Sequence, residues 1–165
     1  MVILIINICK EPLHYLEFVK PIEDILKKNN INFITKHYKN ISDIDISYAD
    51  KIIISGTSLK DNEFLKDVNR FKFLIKFKKP VLGICGGSHI IGLLLGYKLN
   101  KKTEIGFKDI NIEKFLGING KIQAYYLHNF FVLSDVFHKN NFYAILFHPE
   151  VRNKEMILNF CNMGP

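Results

Sequence analysis

The sequence has few cysteines, and nothing in it marks a secreted or membrane-bound protein. Its 165 residues include three cysteines, Cys9, Cys85 and Cys161, an odd and sparse set that does not predict a disulfide framework. No apolar run approaches the roughly 20 residues that span a bilayer, and residues 1–7 contain neither a basic n-region nor a small-residue cleavage site. We therefore expect reduced thiols, a cytoplasmic location and no membrane partner.

Arginine is also scarce, which bears on nucleic acid as a partner. The formal net charge is +7, but only two of the 23 basic residues are arginines, Arg70 and Arg152, and the lysines are scattered. Nucleic-acid-binding domains usually carry a clustered basic patch, so we do not expect a nucleic-acid partner. The richness in isoleucine and lysine is instead a bias of the whole chain, and it suggests a thermophile with an AT-rich genome.

Strand and helix patterns alternate through the first part of the chain. They predict strands over 2–8, 31–35, 51–55 and 80–84, helices over 13–28, 62–77 and 86–97, and a loop or short turn over 41–50. Continuous apolar strands separated by helices predict an α/β fold: a flavodoxin-like, doubly wound, mostly parallel sheet with helices on both faces. Function in such sheets lies at the carboxyl ends of the strands, where Gly56 and Cys85 fall.

The pattern changes after Leu99. It predicts shorter strands over 101–112, 121–127, 130–133 and 143–147, a turn over 117–120 and a terminal helix over 154–162. No repeat, linker or low-complexity segment separates the two parts, so we expect residues 1–165 to form a single domain.

Cys85 stands between an apolar run and two glycines. The run from Pro80 to Ile84 predicts a buried strand, and Gly86-Gly87 opens the following helix. A strand, a sharp glycine-rich turn and a helix would expose the sulfur at the turn, where the helix N-terminus favours the thiolate. The alternative is a structural turn, in which Cys85 is only a small hydrophobic residue.

His148-Pro149-Glu150 follows the strand predicted over 143–147. Imidazole can take the thiol proton, and a carboxylate two residues further on can orient the ring and stabilise imidazolium. A Cys85–His148–Glu150 nucleophilic site is therefore the leading interpretation. His-x-Glu alone also fits a surface pair or half of a metal site, but no plausible set of three ligands is evident. We expect neither a metal nor a cofactor.

Together these motifs resemble the class I (triad) glutamine amidotransferase family. The family pattern Gly-Ile/Val-Cys-x-Gly-x-Gln, followed by His-Pro-Glu, is similar to Gly83-Ile84-Cys85-Gly86-Gly87-Ser88-His89 and His148-Pro149-Glu150. The family's oxyanion loop, Glu-Tyr-Gly segment and His-Ser-Tyr segment are similar to Ser55-Gly56-Thr57-Ser58, Glu104-Ile105-Gly106 and Leu127-His128-Asn129-Phe130. The ending Ile157-Leu158-Asn159-Phe160 is similar to the glutaminase unit of GMP synthase.

The resemblance implies glutamine hydrolysis in the class I glutamine amidotransferase fold. Cys85 would attack the side-chain amide, His148 would act as base and then acid, and Glu150 would orient His148. The backbone N–H groups of Gly56 and Gly86 would hold the oxyanion. The substrate-binding positions would be His89, His128, Asn129 and Phe130. The resemblance also implies a separate ATP-dependent synthetase subunit that receives the ammonia, GMP synthase being the leading candidate.

His89 is the main departure from the family pattern, which has glutamine there to bind the substrate. One helical turn from Cys85, His89 should still face the site, unless it simply packs on the helix. Thr57-Ser58 in place of Gly-Pro and a short segment between Gly117 and His148 are further departures. His89 favours an alternative function, hydrolysis of a γ-glutamyl or other amide substrate. A third alternative is a non-catalytic partner or regulatory subunit, against which the intact triad residues argue.

Overall fold

The computed structural model describes residues 1–164, which form a six-stranded sheet and a separate two-stranded ribbon. The elements are β1 (Val2–Asn7), α1 (Pro12–Phe18), α2 (Lys20–Lys28), β2 (Asn32–His37), α3 (Asp43–Tyr48), β3 (Lys51–Ile54), α4 (Glu63–Lys66), α5 (Phe73–Lys76), β4 (Val81–Ile84), α6 (Gly86–Leu94), β5 (Asn100–Phe115), β6 (Ile118–Phe131), β7 (Val136–Lys139), β8 (Phe142–Ile145) and α7 (Lys154–Asn162). Within residues 1–164, no helix has the length and apolar character needed to cross a membrane.

The sheet has the strand order β2-β1-β3-β4-β8-β7. All neighbouring pairs are parallel except β7 with β8, which is antiparallel and lies at the edge. Counting β8 as the fifth parallel strand, this is the 2-1-3-4-5 order of flavodoxin-like folds. The predicted fold class is confirmed.

Apolar side chains cover both faces of the sheet. Residues Ile3 to Ile6 of β1 have no exposed surface, as expected for a parallel strand buried on both faces. Helices α1, α2 and α7 pack with the ribbon on one face, and α3 to α6 cover the other. Because β3 and β4 are parallel neighbours, the residues that follow them emerge at the same edge of the sheet.

Two predicted helices are broken into shorter pieces. The helix predicted over 13–28 is divided at Val19, because Pro21 has no N–H for the helical hydrogen bond and its ring crowds the preceding turn. The helix predicted over 62–77 consists of α4, a 3₁₀ turn and α5. These pieces let Phe64, Phe71 and Leu74 all reach the core, where each is 1% exposed or less.

The loop predicted over 41–50 is wrong for its central residues, which form α3. Ser42 caps this helix: its hydroxyl accepts from the N–H of Asp45, and the Asp45 carboxylate accepts from the N–H of Ser42. The six-residue helix shows little apolar periodicity, so this capping box is its main sequence signal.

The three short strands predicted between residues 101 and 133 are two long ones. Strands β5 and β6 pair with each other in antiparallel register and do not join the main sheet. Their turn is tighter than predicted, because Leu116 and Gly117 alone form it, with φ values of 44° and 75° that suit a two-residue hairpin. Strand β7 has no counterpart among the predicted strands, and the strand predicted over 143–147 ends at Ile145.

Candidate active site

Cys85 lies at a tight turn between β4 and α6. Its φ of 47° and ψ of −101° fall outside the regions that a non-glycine residue normally occupies. The N–H of Cys85 donates to the carbonyl of Ile145 at 2.7 Å, so the neighbouring strand β8 holds the turn in place. Such local strain persists only where the surroundings determine it, and it is common at functional sites.

Glycines allow α6 to approach the sheet closely. A Cβ atom on Gly83 would lie 2.4 Å from the carbonyl oxygen of Gly87, and one on Gly87 would lie 2.5 Å from that of Ile54. Both contacts are with backbone atoms, which cannot rotate away as a side chain can. The two glycines are therefore required by the packing of the turn, independently of any chemistry.

His148 and Glu150 form a buried pair beside this turn. Nδ1 of His148 lies 2.7 Å from Oε1 of Glu150, and the two residues are 1% and 2% exposed. Burial opposes a charge on the ring, but the Glu150 carboxylate, with a further contribution from Cys85, outweighs it and raises the pKa of His148 well above its usual range. With Nδ1 engaged by Glu150, Nε2 is the nitrogen left for a proton exchange with Cys85.

The loop after β3 lies against both residues. A Cβ atom on Gly56 would be 2.7 Å from Cε1 of His148 and 3.4 Å from Cβ of Cys85. Gly86 is the first residue of α6, where a backbone N–H has no acceptor within its own helix. The two glycines predicted to supply oxyanion N–H groups thus both lie next to Cys85.

A cavity of about 20 Å³ lies beside Cys85. Its lining includes all four residues predicted to bind substrate, His89, His128, Asn129 and Phe130. The first lies on α6, and the other three lie on β6, which crosses the carboxyl edge of the sheet. The structure therefore brings every predicted site residue to one place.

His89 is buried and neutral at this site. Its Nε2 lies 2.9 Å from the carbonyl oxygen of Phe130, and the residue is 4% exposed. Burial lowers the pKa of His89 to about 4, although the Phe130 carbonyl partly opposes this. At neutral pH the ring therefore offers hydrogen bonds without a charge.

We expect the variant His89→Gln to resist acid better than the native protein. The His89 ring of the folded protein stays neutral between pH 6.5 and about 4, whereas the same ring in the unfolded chain takes up a proton. The free energy of unfolding therefore falls as pH decreases through this window. The loss attributable to His89 approaches about 3 kcal/mol by pH 4. Urea unfolding between pH 6.5 and 4.5 measures it, with His138→Gln at an exposed position as the matched control. Equal acid sensitivity in the His89→Gln variant and the native protein would contradict this assignment.

Two carboxylates beside the site were given no role by the sequence: Asp61 was not singled out, and Glu104 was named only as part of the segment similar to Glu-Tyr-Gly. Asp61 accepts from the hydroxyl of Thr57 at 2.6 Å and from the N–H of Lys10 at 2.7 Å, which ties the loop after β3 to the chain after β1. Glu104 lies 3.0 Å from Nε2 of His128. The sequence signal for Asp61 is its partner Thr57, which stands where the oxyanion loop of the family pattern has glycine. The contact of Glu104 with His128 could be found only once the pairing of β5 with β6 was known.

The other two cysteines lie in environments that suppress the thiolate. Burial raises the pKa of Cys9 to about 11 and that of Cys161 to about 12. Among residues 1–164, no group of three or more His, Cys, Asp or Glu side chains is placed to hold a metal ion. The chemistry-bearing side chains described above are thus concentrated around Cys85.

The strand order and the turn at Cys85 define an α/β protein whose functional edge lies at the carboxyl ends of its parallel strands. The family model described as glutamine amidotransferase class-I matches residues 14–138. The chain belongs to this family and is a class I glutamine amidotransferase.

Individual relatives agree with this assignment. A glutamine-hydrolysing GMP synthase subunit of Picrophilus torridus is 31% identical over 142 residues, covering 70% of this chain and 76% of that protein. The subunit of the same name from Ignicoccus hospitalis is 24% identical over 140 residues, covering 70% and 74%.

Two solved structures share the fold. One comes from Thermoplasma acidophilum and is provisionally named as a GMP synthase subunit. Its TM-score is 0.82 at 19% sequence identity, and the match covers 98% of this chain and 92% of that chain. The other is a glutamine amidotransferase of Thermotoga maritima, with a TM-score of 0.67 at 19% sequence identity. The match covers 91% of this chain and 76% of that chain.

Proposed function

We propose that this chain is a glutaminase subunit that hydrolyses glutamine through Cys85, His148 and Glu150 and supplies ammonia to a separate synthetase. The observation that carries the proposal is the buried His148–Glu150 pair, 2.7 Å apart, against the strained turn that presents Cys85. A cytoplasmic location accompanies the proposal, since the three cysteines are all free.

The reaction would follow the order of a nucleophilic triad. The Cys85 thiolate attacks the carboxamide carbon, and the N–H groups of Gly56 and Gly86 stabilise the resulting oxyanion. His148 imidazolium then protonates the departing nitrogen, which leaves as ammonia, and a γ-glutamyl thioester remains on Cys85. Neutral His148 next takes a proton from water, which attacks the thioester carbon. Glutamate leaves, and the Cys85 sulfur and His148 recover their starting states.

Substrate recognition would come from the cavity lining. Backbone groups of His128, Asn129 and Phe130 would contact the amino-acid end of glutamine, since β6 runs past Cys85. His89 would take the place of the glutamine found in the family pattern and offer a neutral ring to the carboxamide.

Release of glutamate and ammonia from glutamine tests the proposal, with and without a synthetase subunit present. Equal molar release of both products, dependent on Cys85, is the expected result. Absence of hydrolysis in both the isolated chain and the complex would refute it.

His89 favours one second candidate, hydrolysis of another γ-glutamyl or amide substrate. The ring occupies a substrate-lining position with a hydrogen-bonding pattern different from that of a carboxamide. Competition between glutamine and γ-glutamyl anilides or peptides distinguishes the two candidates. Turnover of the anilide with a much higher kcat/KM than glutamine would favour the second one.

We place the docking surface for the synthetase on the outer face of the ribbon. Ile105 and Phe107 are 60% and 51% exposed there, and the Arg152 guanidinium lies 5.9 Å from the centre of the Phe107 ring. Lys101 and Lys102 are exposed near the same end of the ribbon. An apolar centre with a basic rim suits a partner that presents apolar side chains bordered by carboxylates.

The variant Phe107→Asp should therefore weaken the complex with the synthetase at least about tenfold, because it removes an exposed aromatic side chain and adds a repelled charge. Sedimentation or calorimetric titration with the ATP-dependent GMP synthase subunit measures this loss. Tyr48→Asp, at a 70% exposed aromatic on α3, is the matched control and should bind normally. Unchanged binding by Phe107→Asp would show that the synthetase does not dock on this face of the ribbon.

A further inference from the structure

The candidate active site is closed to glutamine in this conformation. The cavity beside Cys85 measures about 20 Å³, which leaves room for about one water molecule and not for an amino acid such as glutamine. Cys85 and His148 are 3% and 1% exposed. A substrate can therefore reach the Cys85 sulfur only after a conformational change opens the site.

Three polar contacts join β6 to the residues around the cavity. The carbonyl of Leu127 lies 3.5 Å from Sγ of Cys85, and that of Phe130 lies 2.9 Å from Nε2 of His89. The third is made by the side chain of Asn129, whose Nδ2 donates to the carbonyl of Leu59 at 3.0 Å. This contact joins the ribbon to the loop after β3, across residues 70 apart in the chain.

Asn129 is held in this position from the other strand of the ribbon. The pairing of β5 with β6 is irregular between Lys101 and Glu104, which is a bulge of the kind often found beside active sites. Thr103, inside the bulge, donates its hydroxyl to Oδ1 of Asn129 at 2.8 Å. The amide of Asn129 thus has its oxygen fixed by the ribbon and its nitrogen fixed to the loop.

We propose that the Asn129 side chain is a latch, a side chain that controls the access of glutamine to Cys85 without contacting the Cys85 sulfur. Opening breaks the Asn129–Leu59 hydrogen bond and separates β6 from the loop that carries Gly56. The identity of the ligand admitted rests on the proposed function, and the latch itself does not. The backbone of Asn129 keeps its predicted contact with substrate, while its side chain sets how often the site is open.

The test measures the rate at which iodoacetamide alkylates Cys85, by mass spectrometry of the intact chain and its peptides. Removing one net hydrogen bond from the closed state should raise the open fraction about fivefold. We therefore expect Asn129→Ala to be alkylated at Cys85 about fivefold faster than the native protein. Thr103→Val, which only frees the Asn129 oxygen, should give a smaller increase. Asn111→Ala, at an exposed position of the same ribbon, is the matched control and should alkylate at the native rate.

Cys161 in the same molecule is an internal control, because it is fully buried on α7, away from the ribbon bulge. An increase confined to Cys85 supports the latch. An unchanged rate at Cys85, or a parallel increase at Cys161 that reports general loosening, overturns it. Glutamine hydrolysis is measured in parallel, in the isolated chain and in its complex with the synthetase. Faster alkylation with no hydrolysis in either supports the latch and refutes the proposed function, whereas hydrolysis with unchanged alkylation supports the proposed function and refutes the latch.

Discussion

Replacing Cys85 by alanine is expected to lower kcat for glutamine hydrolysis by about four orders of magnitude. The sulfur forms the covalent bond to substrate, and no second nucleophile takes its place, since burial keeps the pKa of Cys9 near 11. Alanine, like cysteine, is an L-residue with a Cβ atom, so the strain at φ 47° is nearly unchanged and the fold should persist. Glutamate release, measured together with the urea unfolding midpoint, separates lost chemistry from lost structure.

Cys161→Ala is the matched control for this substitution. Cys161 is fully buried on α7, and its carbonyl accepts from Nζ of Lys51 at the start of β3, the opposite end of that strand from the loop beside Cys85. This variant should therefore hydrolyse glutamine at nearly the native rate. A Cys85→Ala variant that folds and retains more than about a tenth of native kcat would show that the sulfur is not the nucleophile.

Glu150→Gln is expected to lower kcat by about three orders of magnitude, because the amide no longer stabilises the His148 imidazolium that protonates the leaving nitrogen. The same change should alter the pH dependence of stability. The native pKa of His148 lies well above its usual range, so above about pH 6.5 the folded state holds a proton that the unfolded chain has released. The contribution of His148 to the free energy of unfolding is therefore complete below pH 6.5. It is lost as pH rises through the native pKa, and the free energy of unfolding then falls by up to about 1.4 kcal/mol per pH unit.

Unfolding by urea from pH 6.5 upwards measures this slope in Cys85→Ala and in the double variant Cys85→Ala/Glu150→Gln, because ionisation of Cys85 in the folded state would otherwise offset the proton held by His148. The double variant should show a flatter dependence, since its His148 keeps little of the raised pKa. Glu155→Gln, an exposed carboxylate on α7, should keep native kcat and, combined with Cys85→Ala, the same slope as Cys85→Ala alone. Parallel pH dependences with and without Glu150→Gln would mean that Glu150 does not control the charge of His148.

The central sheet could be predicted because each parallel strand is a short apolar run, buried on both faces and followed by a helix. The turn at Cys85 could also be predicted, since Gly83, Gly86 and Gly87 lie within five residues of each other, and the packing indeed leaves no room for a Cβ atom at Gly83 or Gly87. Helix α3 was missed because a capping box, and not apolar spacing, marks its start.

The ribbon and its contacts could not be predicted in the same way. Its strands expose one face, and their pairing is irregular near Lys101 and Glu104, so apolar alternation is weak. The hydrogen bond from Asn129 to Leu59 joins residues 70 apart, and the pairing of Glu104 with His128 depends on the register of β5 against β6. Such contacts arise from tertiary structure and leave no local pattern.

Labelling with a diazo-ketone analogue of glutamine tests the central claim most directly, because the analogue must be recognised as glutamine before it alkylates a nucleophile. Intact-mass analysis should show a single adduct on Cys85, slowed by excess glutamine and absent from Cys85→Ser. Labelling of Cys85 no faster than that of Cys9 or Cys161, both in the isolated chain and in its complex with the synthetase, would contradict a glutaminase site built on Cys85 and His148.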